Sequence, residues 1–77
     1  MDTNDRAKLK AFGDRLRELR KKQGIAQEKL ALISCLARSY VGEVERGNQN
    51  ISLLNIHKLA EALNVAPSVL LETPLES

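Results

Sequence analysis

The stretch that most limits what this chain can become is residues 24–47, GIAQEKLALISCLARSYVGEVERG. Leu30, Ile33 and Leu36 keep helical spacing within it, and a further apolar set resumes at Tyr40, Val41 and Val44. Between the two sets, Ser34-Cys35 breaks the pattern without a proline. Apolar positions recurring every three or four residues make a stripe on a helix, whereas a half-buried strand alternates. The stretch therefore predicts two short helices joined by a tight bend, and helices joined by three or four residues cross steeply.

The flanks read as support for the second of these helices. Leu9, Phe12, Leu16 and Leu19 share one face of a first helix expected to begin near Asp5, after a loosely held polar lead-in at residues 1–4. Asp2 and Asp5 lie at its start and Arg20, Lys21 and Lys22 at its end, each sign opposing the helix dipole. Gly24 stops it in the left-handed conformation, with Ile25 folding back on the last turn. Gly13 costs about 1 kcal/mol relative to alanine inside a helix, which predicts a close helix contact there.

The second helix starts at about Gln27 and the third after Ala37. Both cap positions, Ala26 and Ala37, lack a side-chain acceptor, which forgoes about 1 kcal/mol each. Gln27 and Glu28 are positioned to serve the free amides, as is a phosphate at that helix start. Gly47 closes the third helix. Ser52 caps a fourth whose buried face is Leu53, Ile56, Leu59, Ala60 and Leu63, and Asn64-Val65-Ala66 ends it. Pro67 then fits the first position of a short fifth helix, Ser68 to Glu72, before Thr73-Pro74 terminates the ordered chain. The expectation is an all-α protein of five helices, one domain over residues 1–77 with an ordered core of about residues 5–72.

Composition narrows the function classes. With Cys35 as the sole cysteine there is no internal disulfide and no thiolate cluster for zinc, and no cofactor is implied. No apolar run approaches the roughly twenty residues of a membrane span, and nothing resembles a signal peptide, so a cytoplasmic protein is expected. Residues 1–47 hold eleven Lys/Arg against seven Asp/Glu, a balance of +4, and residues 48–77 one against three, a balance of −2. The basic half suits a polyanion.

On the third helix, Ala37, Arg38, Ser39 and Gly42 are expected on the side away from Val41 and Val44. A guanidinium suits the O6/N7 edge of guanine and a hydroxyl can donate or accept, so this helix can read a DNA major groove. Asn48-Gln49-Asn50 is either a set of phosphate-positioning amides or simply a solvated turn. Val65, Val69, Leu70, Leu71 and Leu75 exceed what one short helix buries. They form either a symmetric dimer patch or the last part of the monomer core. Enzymatic chemistry lacks a constellation: His57 stands by itself on the fourth helix, Glu43 and Glu45 point apart, and Cys35 is expected to pack as a small apolar residue.

Over residues 12–71 the chain resembles the lambda-repressor and Cro-like helix-turn-helix family. The elements that carry the likeness are LRELRKKQGIAQEKLA, RSYVGEVERGNQNISLLNIHKLAEALNV and PSVLL. The middle element is especially similar to the controller proteins of restriction-modification systems, and small prophage-type repressors share the pattern. The resemblance implies a compact five-helix DNA-binding domain with the helix-turn-helix at helices two and three. Arg38, Ser39, Tyr40, Gly42 and Glu43 would then lie at the bases or groove, and Gln27, Arg46, Asn48, Gln49 and Asn50 at phosphates. Arg20 and Glu45 would form a charge pair tying the first helix to the third. It also implies a homodimer on double-stranded DNA, with RNA polymerase as a further partner and no membrane. Two departures stand out: Ala37 replaces the usual capping residue, and Cys35 sits where glycine is common. The competing expectation is a helical protein-interaction module such as an antitoxin.

Overall fold

The computed structural model describes residues 2–72. These form α1 (Thr3–Lys22), α2 (Gln27–Ser34), α3 (Arg38–Glu45), α4 (Leu53–Ala62) and α5 (Pro67–Leu70), with no strand among the described residues. The sequence-based expectation of five helices holds, and its boundaries shift in two places. α1 starts at Thr3, because the Asp2 carboxylate caps it by accepting from the Asp5 amide at 2.8 Å. Asp2 and Asn4 therefore belong to an ordered helix start, not to a loose lead-in. At the other end α5 is a single turn, Pro67–Leu70, shorter than the expected 68–72. The Thr73-Pro74 stop lies outside the described residues.

One core joins all five elements: Phe12, Leu16 and Leu19 from α1, Leu30 and Ala31 from α2, Val41 and Val44 from α3, Leu59, Ala60 and Leu63 from α4 and its end, and Leu70 from α5. Each buried Leu or Val contributes about 1.5–3 kcal/mol relative to exposure. α2 departs from its expected stripe. Its inward positions are Leu30, Ala31 and Ser34, while Ile33 is 45% exposed. A two-turn helix wedged between α3 and α4 turns its small residues inward, and the Ser34 hydroxyl is satisfied by donating to the Leu30 carbonyl at 2.7 Å. Leu53, expected inside, is also exposed, because α4 meets the core only after its first turn.

The connections are short because four helices end on a single left-handed residue, namely Gly24, Cys35, Gly47 and Asn64. The following amide then returns to a carbonyl five residues back: Ile25 to Arg20, Leu36 to Ala31, Asn48 to Glu43 and Val65 to Ala60. This closure satisfies carbonyls that a helix end leaves open. Cys35 takes the role at φ 61° and is exposed, so the expectation of a packed thiol is corrected. α1 and its capping residue Gln23 also close the ends of their neighbours, donating from Gln23 Nε2 to the Leu63 carbonyl at 2.7 Å and from Arg15 Nε to the Val69 carbonyl at 2.9 Å. No described helix is long and apolar enough to cross a membrane.

Candidate nucleic-acid interface

α3 is gripped from three sides. Val41 and Val44 are fully buried in the core, and Gly13 of α1 brings two backbones together: a Cβ there would stand 2.4 Å from the Val44 carbonyl oxygen and 2.6 Å from that of Glu45. The close contact expected at Gly13 is present. The third grip is polar. Arg20 donates to Glu45 through Nε at 2.7 Å and Nη2 at 3.0 Å, and its Nη1 donates to the Ile25 carbonyl at 2.9 Å. Gln27 Nε2 adds a bond to Glu45 Oε1 at 2.9 Å, so α1, α2 and α3 meet on one buried carboxylate. Such a charge is tolerable inside only when its partners are complete, and here they are.

What remains outside is a narrow strip. Arg38 and Ser39 are exposed at the start of α3, while Glu43 and Arg46 follow at helical spacing from Ser39. Gly42 does not belong to this strip, contrary to the expectation that it shares the outward side. It is buried, and a Cβ there would lie 3.5 Å from Arg46 Nη1 and 3.6 Å from Gln27 Oε1. Tyr40 is half-buried, and its hydroxyl accepts from Asn55 Nδ2 of α4 at 3.1 Å, which leaves the phenolic O–H free to donate. Among the described residues Arg38 has one charged neighbour, Glu28 at 3.8 Å, with both side chains largely exposed, so the approach contributes little.

Glu43 is the one member of the strip already engaged on both oxygens. Asn48 Nδ2 donates to Oε2 at 2.8 Å and Arg46 Nη2 to Oε1 at 2.9 Å. These bonds, Asn48 first and then Arg46, hold the Glu43 carboxyl below its ordinary value. Asn48 and Asn50 are exposed and Gln49 is half-buried, and Asn50 sits beside Asp5, Lys8 and Leu9 at the start of α1. Neither α2 nor α3 has a side-chain cap at Ala26 or Ala37, so the first amides of both helices have no side chain across them.

Residues 16–70 match the helix-turn-helix family HTH_3. The chain belongs to this helix-turn-helix family. It is 45% identical over 62 residues to the control protein C.BamHI of Bacillus amyloliquefaciens, covering 79% of this chain and 76% of that protein. It is similar to the crystal structure of the restriction-modification controller protein C.AhdI from Aeromonas hydrophila. There the TM-score is 0.82 and the identity 59%, covering 83% of this chain and 97% of that one. A third likeness, with TM-score 0.77 and 28% identity over 83% of this chain and 84% of that one, is to the controller C.Esp1396I as a tetramer in complex with its natural 35 base-pair operator.

As a helix-turn-helix protein the chain offers cations that sequence reasoning passed over. Arg17 and Lys21 of α1 line a shallow recess of about 290 Å³ together with Arg20, Gln27, Glu45 and Arg46. Their i, i+4 spacing is plain in the sequence, but a basic run at the end of α1 is equally a response to the helix dipole. Asn55 was missed as well, since its role depends on where Tyr40 arrives. Of the residues expected at a dimer interface, Leu70 is corrected: it is fully buried in the monomer core, where the single turn of α5 aims it. Val65 and Val69 are half-buried against that core, Leu71 is 57% exposed, and Leu75 lies outside the described residues.

Proposed function

We propose that this chain is a sequence-specific DNA-binding transcriptional regulator of the restriction-modification controller type, acting as a dimer on a roughly palindromic operator. The observation that supports it most is the contrast around α3. One side is fixed by a complete buried network, and the other leaves Arg38 and Ser39 free at the end of the helix that enters a groove. The reading assigns base contacts to Arg38 and Ser39, and a phosphate or groove-edge contact to the free Tyr40 O–H. Phosphate contacts go to Gln27 with the uncapped start of α2, to Arg46, and to Asn48, Gln49 and Asn50, with Arg17 and Lys21 adding positive potential. Phosphates would supply most of the affinity and base edges the selectivity.

A dimer would set two copies of α3 about 34 Å apart along the duplex. In this reading exposed Leu71, with Val65 and Val69, supplies the apolar patch between copies. The protein acts as a single non-enzymatic domain in the cytoplasm and either blocks RNA polymerase or recruits it. The test is selection from random duplexes, followed by titration of the winner at two salt concentrations. A palindromic consensus with a steep salt dependence is the expected result. No enrichment, with only weak binding to any duplex, would move the reading to a helical module that binds another protein.

A further inference from the structure

We propose that the Glu43 carboxylate is an internal stand-in for a DNA phosphate: in the free protein it fills the anion site formed by Arg46 and Asn48, and an arriving duplex expels it. The inference rests on the regulator reading above and departs from the base-reading role first expected of Glu43.

Three observations support it. Glu43 receives one donor on each oxygen, from Arg46 at 2.9 Å and Asn48 at 2.8 Å, and a phosphodiester offers the same pair of anionic oxygens to the same donors. Arg46 also lines the recess with Arg17, Lys21 and Gln27, beside the paired Arg20 and Glu45, so its guanidinium stands on the same recess as two further cations of α1. Finally, Glu43 lies four residues after Ser39 and therefore on the face that meets the duplex. An unpaired carboxylate there would repel the backbone, whereas each oxygen of Glu43 already holds one donor of its own chain.

The pairing is also weak enough to yield. The Arg46 and Glu43 side chains are 58% and 39% exposed, and ion pairs of that kind contribute little in water. A duplex brings a line of phosphates and releases counterions on contact, which outcompetes a lone carboxylate. The consequence is a uniform brake. Competition from Glu43 lowers affinity for every duplex by the same factor and leaves the ratio between operator and random DNA unchanged.

The experiment titrates wild type, Glu43→Gln, Arg46→Ala and the double variant on the selected operator and on a random duplex at two salt concentrations. Glu43→Gln is expected to bind both duplexes about two- to fivefold tighter. Its log K against log salt should steepen by about one unit, as for one more effective phosphate contact. In the Arg46→Ala background the gain should vanish, because the contested site is gone. Weaker binding to the operator alone would return Glu43 to base reading, and weaker binding to both duplexes would make it a brace for the loop. A gain that persists without Arg46 would reduce it to general charge removal. Each of these overturns the stand-in while the regulator reading survives. A wild-type protein that selects no duplex would bring down both.

Discussion

The two sides of α3 solve opposite problems. Toward α1, Gly13 lets backbones touch, and Arg20, Gln27 and Glu45 form a closed network with no buried polar side-chain atom left unpaired among the described residues. Toward solvent, Arg38 has only a 3.8 Å approach from Glu28 among the described residues, and Glu43 holds Arg46 and Asn48 by exposed bonds. The inner side is costly to disturb and the outer side cheap. The proposed reading of DNA by α3 would need both, because the helix position has to be set before contact while its side chains exchange water or an internal partner for DNA.

Substitutions on the two sides should therefore separate stability from binding. The largest effect is expected from Glu45→Ala, which strands the buried Arg20 charge and should cost about 3–5 kcal/mol in urea unfolding. Gly13→Ala comes next. The added Cβ meets backbone oxygens that cannot swing aside, so a loss of about 1–3 kcal/mol should outweigh the gain in helix propensity. An unchanged melting curve would show that α1 and α3 are not pressed together. On the outer side, Arg38→Ala should leave unfolding within about 0.5 kcal/mol of wild type. The same change should relax base preference at one operator position by about 1–3 kcal/mol. Equal losses on operator and random duplex would remove Arg38 from base reading.

Smaller effects sharpen the contrast. Cys35 holds a left-handed conformation at φ 61°, which an L-residue adopts at some cost, so Cys35→Gly should stabilise by about 0.5–1 kcal/mol after glycine's extra chain entropy is subtracted. The smallest expected effect concerns pH. The Glu43 carboxyl is held below its ordinary 4.5 by Asn48 and Arg46. A lowered carboxyl steadies its partners above the ordinary value and stops doing so as pH falls through the lowered one. The Asn48 side-chain amide signals in NMR should accordingly shift on acidification with a midpoint below 4.5. A midpoint at or above 4.5 would contradict the bonds to Glu43.

Much of this was legible in the chain. The four longer helices, the stops at Gly24 and Gly47, the Ser52 cap and the close approach at Gly13 follow from local rules that act within a turn or two. The Arg20–Glu45 pair followed from family resemblance, since 25 residues separate the partners and no spacing rule joins them. Errors gathered where three elements compete. Spacing alone turns Ile33 of α2 inward, but contact with both α3 and α4 favours small Ala31 and Ser34 inside. Gly42 lies outward by spacing, yet Gln27 and Arg46 cover it. Leu70 read as surplus because the reach of a one-turn helix into the core depends on where α1 and α4 leave room. At the interface, exposure of Arg38 and Ser39 was foreseeable, whereas the double engagement of Glu43 and the grip of Asn55 on Tyr40 depend on rotamers and loop path.

The long bonds from α1 also set an order of events during synthesis. Arg15 waits for the Val69 carbonyl, 54 residues downstream, and Gln23 for that of Leu63, 40 residues downstream. At roughly 5–20 residues per second, the ribosome needs about 3–11 s to deliver the partner of Arg15. During that interval α2 and α3 already exist as polymer but lack Leu59, Leu63 and Leu70 beneath them. A nascent chain stopped at the loop after α3 would hold the whole reading sequence and little of its shape, so competence should arrive in one late step with the final helix.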